Sequence, residues 1–131
     1  MLEKRCQDFQ SAVDEYLIRH RSALDVLTKY QESAARVNRA FAKTVTECGC
    51  VQMHANRQKV PSDAEFRDLK SFMSTHLSNE PCEQCKEVLT TELGHSIFYL
   101  AALCNMSGIN LADVINDEYN KVTTLGLFHL L

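Results

Sequence analysis

The chain has 131 residues, 45% hydrophobic and 24% charged, with four glycines, two prolines and six cysteines. That length builds one core rather than two, and the balance suits a folded, mostly helical domain rather than a disordered chain. The formal charge is −3, with 14 Lys and Arg spread along the sequence, which argues against nucleic acid as a partner because phosphate binding needs a concentrated basic surface. No run approaches the roughly 18 apolar residues of a spanning helix. The opening MLEKRCQDFQ lacks a signal peptide's apolar core, so the expectation is a cytoplasmic protein with no membrane association.

Phe9, Val13, Tyr16, Leu17, His20 and Leu24 recur at spacings of three and four, predicting a helix from near Leu2 with one apolar face. Ser22, with Asp25 three residues on, offers a cap where the chain bends and restarts. The second helix is expected to reach about Glu47. Its inner face would carry Leu24, Leu27, Tyr30, Ala34, Val37, Phe41 and Val45, and small residues at 34, 35, 40 and 42 would let a neighbour approach closely. These two helices are expected to pack as an antiparallel or bent pair.

Beyond Cys48 the pattern changes. Ser62 and Glu65 read as a capping box for a helix over 63–76 bearing Phe66, Leu69, Phe72 and Met73. Asn79, Glu80 and Pro81 open a helix over about 81–106, with Val88, Leu89, Leu93, Ile97, Leu100, Ala101 and Cys104 at helical spacing. Gly108 stops it, and Asn110 caps a last helix from Leu111 to about Val122, held by Val114, Ile115 and Tyr119. The tail carries Leu125, Leu127, Phe128, Leu130 and Leu131, too apolar to be left in water; it is expected to dock on its own core or on a second subunit.

Four of the six cysteines form two pairs, Cys48-Gly49-Cys50 and Cys82-Glu83-Gln84-Cys85. In a reducing compartment such pairs serve metals or redox chemistry more often than disulfides. Four thiolates complete a tetrahedral zinc shell, Gly49 permits the bend that a CxC pair needs, and a helix start at the CxxC pair favours thiolate. Structural zinc held by Cys48, Cys50, Cys82 and Cys85 is the reading, with 48–85 as a metal-pinned insertion in a single domain over 1–131; an iron–sulfur cluster and a thiol switch are the alternatives. Cys6 and Cys104 stand alone on apolar helical faces and read as core. His54 and His76 read as surface residues rather than ligands.

The segment Glu92-Leu93-Gly94-His95-Ser96-Ile97-Phe98-Tyr99-Leu100-Ala101-Ala102-Leu103, followed by Gly108-Ile109-Asn110-Leu111, resembles the MazG-like nucleoside triphosphate pyrophosphohydrolases, in which an ExxD helix runs into a FYL-like apolar stretch and a GIDL-like cap. Lys29 to Arg36 resembles, more weakly, the family's preceding acidic helix. The resemblance implies an all-α bundle of four to five helices, completed by oligomerisation, and a magnesium ion held by an ExxE and ExxD carboxylate quartet. This chain departs from that set. Glu92 matches the first position of ExxD, but His95 replaces its Asp, and Ser33 and Arg36 occupy the two acidic positions of ExxE, with Glu32 one residue off. An arginine and a histidine there repel a divalent cation. Lys121 matches the family's phosphate-contacting lysine only by its place in the last helix, and the cysteine clip is foreign to the family's simple helical form.

The reading is therefore a zinc-binding MazG-like helical protein acting as a non-catalytic binding or regulatory module. It is expected to form a homodimer or homotetramer and to offer a pocket for a nucleotide or small molecule. One alternative is a magnesium-dependent NTP pyrophosphohydrolase using Glu92, with His95 as an acid–base partner or with Asp14, Glu15, Asp117 or Glu118 as further metal ligands. The other is a zinc–thiol redox sensor.

Overall fold

The computed structural model of the chain describes residues 1–129. Helix α1 spans Leu2–Tyr16 and ends where Leu17 turns to extended backbone. The Arg21 guanidinium closes that end, donating to the carbonyls of Asp14 and Leu17 and pairing with the Asp14 carboxylate at 3.2 Å. A positive charge there satisfies carbonyls left free by the helix and complements its dipole. Helix α2 (Ala23–Lys43) restarts at Ser22, the expected break, and widens into a π-helical turn over Thr44–Cys48.

Helix α4 (Glu83–Ser107) is the central element. Gly108 ends it at φ +66, a left-handed conformation that glycine adopts without a β-carbon clash. The chain then turns through 104° into α5 (Leu111–Leu125). Asn110 caps α5 as expected, its side chain accepting from the Ala112 and Asp113 N–H groups. Gln10 on α1 fastens this corner, donating to the Ile109 carbonyl at 2.7 Å and accepting from the Leu111 N–H at 2.8 Å.

The expected pairing of α1 with α2 is not what forms. Both helices lie on α4, α2 along most of its length and α1 near its C-terminal half, where α1 also meets α5. Val13 and Leu17 of α1 and Val26 of α2 converge on Ala101, Ala102, Cys104 and Leu111. Small residues on α4 let two helices approach it at once. The inner face of α2 and its π-helical turn follows the expectation in part: Tyr30, Val37, Phe41 and Val45 are half-buried, Val26 and Ser33 are buried beside them, and Leu24, Leu27 and Ala34 face outward. Cys104 is core, as expected, and Cys6 is half-buried on α1.

The helix expected over 63–76 is reduced to a 3-10 turn at Phe66–Asp68 and one α-helical turn, α3 (Leu69–Phe72), without a side-chain cap from Ser62. Phe66, Phe72 and Met73 remain exposed, so no burial offsets the cost of nucleating a longer helix. Two short strands unforeseen in the sequence, β1 (Gln52–Met53) and β2 (Leu77–Ser78), pair antiparallel with Gln52 opposite Ser78 and Met53 opposite Leu77. In the tail, Phe128 stacks on Phe66 with ring centroids 6.1 Å apart. Leu130 and Leu131 lie outside the described residues.

No single helix is long and apolar enough to cross a membrane. The accessible surface is 10173 Å², against about 7,000 Å² for a compact monomer of this mass.

Candidate metal centre

The four paired cysteines meet where α2 ends and α4 begins. The π-helical turn delivers Cys48, and Gly49 at φ +74 reverses the chain so that Cys50 turns back toward the same point. Val51, fully buried, anchors the exit, its N–H donating to the carbonyl of buried Thr44 at 3.3 Å. Across from this knuckle, Cys82 is the N-cap of α4 and Cys85 lies one turn in, with the Lys86 N–H bonded to the Cys82 carbonyl at 2.8 Å. The packing of α2 on α4 thereby brings the two pairs together.

All four sulfurs lie within 4.8 Å of one another. Cys48 Sγ is 3.9 Å from Cys82 Sγ, and Cys50 Sγ is 3.6 Å from Cys85 Sγ. A tetrahedron with zinc–sulfur bonds of about 2.3 Å has sulfur–sulfur edges of about 3.8 Å, so both distances fall close to that edge. A disulfide bond is about 2.05 Å long, so the thiols of both pairs are free. The donor set fits a thiophilic cation and leaves no protein-free position in a four-coordinate shell.

The thiols are differentiated. Cys82 is pulled down to about 7, chiefly by the Cys85 backbone N–H beside its sulfur, the first-turn donor that α4 leaves free. Burial first, then the neighbouring sulfurs, push Cys85 up to about 12. Cys48 is raised above the ordinary thiol value, first by its contact with Cys50. A cation that binds here displaces protons.

Among the described residues, no other group of three or more potential ligands gathers its donor atoms in this way. His54 and His76 lie in the loop, joined through their backbones at 2.7 Å. Glu92 faces α2, its side chain only 16% exposed; one carboxylate oxygen stands 3.9 Å from Arg36 and the other is buried without a hydrogen-bond partner. Glu32 pairs with Lys29 at 3.3 Å and with Arg36 at 3.4 Å, Lys29 first holding its carboxyl below the usual range. Ser33 is buried and donates to the Tyr30 carbonyl.

His95 lines a hollow of about 440 Å³ with Lys29, Arg36, Phe98 and Tyr99, adjoining another of about 530 Å³ bounded by Arg39, Lys43 and Glu92. Asp14 is engaged by Arg21, Glu118 by His129, and Lys121 is exposed on α5. Glu92 and His95 thus line two adjoining hollows of the α2–α4 groove, with Arg36 on the wall of both. No protein-family model, curated protein or solved structure matches this chain.

Proposed function

We propose that the chain is a zinc-clipped helical binding module, non-catalytic and self-associating, with a divergent MazG-like architecture. The observation that carries the reading is the gathering of four thiols at tetrahedral spacing. When bound, zinc supplies a fixed crosslink between the end of α2 and the start of α4, so its binding free energy becomes folding free energy for the intervening loop. Cys48 and Cys50 hold one side of the ion and Cys82 and Cys85 the other.

Loss of catalysis is supported by the α2–α4 groove. Arg36 stands between Glu32 and Glu92, occupying with positive charge the space a magnesium ion would need. The same groove, with its unpartnered Glu92 oxygen and the Phe98–Tyr99 edge-to-face pair, is the place for a nucleotide or other small ligand. Self-association is supported by a surface about 3,000 Å² larger than a compact monomer's, enough for an obligate interface.

Elemental analysis of protein purified without air, beside Cys82→Ser, tests the centre: about one zinc per chain is expected, lost in the variant. Iron with sulfide, or no metal, defeats the zinc reading. Incubation with a panel of NTPs and magnesium tests the groove. Pyrophosphate release that disappears in Glu92→Ala would replace the binding module with a pyrophosphohydrolase.

A second reading rests on Cys48, which is exposed beside Cys82. Under it, peroxide oxidises the Cys48 and Cys82 thiolates to a disulfide, is itself reduced to water, and releases zinc. Zinc that stays bound until the helices unfold under peroxide rules that switch out.

A further inference from the structure

The loop between the cysteine pairs borders an open hollow apart from the four cysteines. Its arms run over 54–59 and 72–78. The His54 N–H donates to the His76 carbonyl at 2.7 Å, extending the β1–β2 ladder. Farther out, the Gln58 amide donates to the Ser74 carbonyl at 2.9 Å and accepts from the Ser74 N–H at 3.0 Å. His76 is held at φ +61, a left-handed conformation that a side chain disfavours, with its N–H donating to Ser74 Oγ. A short segment with almost no apolar core is thus fixed by polar bonds at three levels.

The hollow measures about 690 Å³ and is lined by Arg57, Lys59, His54 and His76, with Phe72 and several polar side chains but no carboxylate. Among the described residues neither Arg57 nor Lys59 forms an ion pair. In a chain of net charge −3, two uncompensated cations on one concave wall form a local positive field against the overall balance. The α2–α4 groove differs, because there Glu32 and Glu92 sit among the cations.

We propose that this hollow binds a small phosphate-bearing anion, with Arg57 and Lys59 on the phosphate oxygens and Phe72 beside the attached organic group. Arginine presents a planar fork to phosphate, lysine a point charge, and the imidazoles and amides add donors. The site is separate from the α2–α4 groove and rests on the zinc reading only because the metal pins the roots of both arms.

The test is a backbone amide NMR titration of the zinc-loaded full chain with phenyl phosphate, which carries one phosphate and one ring and does not strip zinc. Saturable shifts confined to 54–59 and 72–78 are expected, and Arg57→Ala with Lys59→Ala should weaken binding by roughly tenfold or more while zinc content and helicity stay unchanged. Absence of saturation by about 10 mM, shifts centred on Arg36 and Arg39, or full affinity in the double variant would each overturn the proposal. Because zinc is assayed separately, a zinc-replete chain that ignores phenyl phosphate defeats this site alone.

Discussion

The sulfurs of Cys50 and Cys85 stand 3.6 Å apart, nearly twice a disulfide's bond length and close to the edge of a zinc tetrathiolate. They come from opposite ends of the segment between the cysteine pairs, so this contact depends on α2 and α4 being packed together. Cys85→Ser is expected to abolish stoichiometric zinc and to cost more than about 4 kcal/mol, the range reached when a structural metal is lost. Cys6→Ser, on a half-buried surface of α1, should keep its zinc. Metal analysis paired with thermal melts separates the two. A Cys85 variant with full zinc and an unshifted melting point would remove the centre.

Acidification should release the metal in a defined direction. Cys82 is drawn down to about 7 and is thiolate above that pH, whereas Cys48 and Cys85 are raised and reach the ion only by losing protons to it. A lowered folded-state value contributes stability that is complete above the ordinary thiol value of 9.0 and is lost as pH falls through about 7. The raised pair adds proton competition that grows in the same direction. Zinc retention measured with a chromophoric indicator should therefore fall steadily from about pH 8 to pH 5. Retention that is flat across that range would mean the thiols are not the ligands.

The gathering of the four cysteines was legible because CxC and CxxC are patterns whose chemistry does not depend on the surrounding fold, and Gly108 and Asn110 were legible because capping is local. The inner face of α2 was legible only in part: Tyr30, Val37, Phe41 and Val45 lie half-buried as expected, whereas Leu24, Leu27 and Ala34 keep helical spacing yet face outward, and only the position of α4 decides which positions are covered. The helix expected over 63–76 failed for a related reason: Ser62 and Glu65 spell a start signal, but no element lies where Phe66 and Phe72 could be buried. Strands of two residues, paired across an interval set by the cysteines, leave no periodicity to read.

That choice of stripe can be checked with two neighbouring residues. Val26 is 0% exposed and Leu24 is 75% exposed. Val26→Ala opens a void against Val13, Leu17 and Ala101 and should cost about 2 kcal/mol. Leu24→Ala removes a larger side chain yet should change stability by less than about 0.5 kcal/mol if α2 presents that face to solvent. Chemical denaturation of both variants gives the answer, and a larger loss for Leu24 would mean that the face is covered by something other than this chain's own helices.

The outer stripe of α5 is the sharpest case of such a face. Ile115, Tyr119 and Val122 follow one another at helical spacing and all three are exposed, although α5 is firmly seated at its N-terminal end through Leu111, Ala112 and Gln10. Seating without covering leaves an apolar ridge that water would have to solvate, while an identical ridge on a second copy offers a self-complementary partner. Ile115→Glu buries a carboxylate in such an interface while leaving the core cluster intact, since Ile115 lies outside it. Sedimentation should find the wild type as a dimer or tetramer at micromolar concentration and the variant shifted toward monomer by roughly a hundredfold or more in dissociation constant. A wild-type monomer at those concentrations would instead mean that the large surface of this chain is carried by an isolated molecule, and the self-association reading would fall while the zinc centre stood.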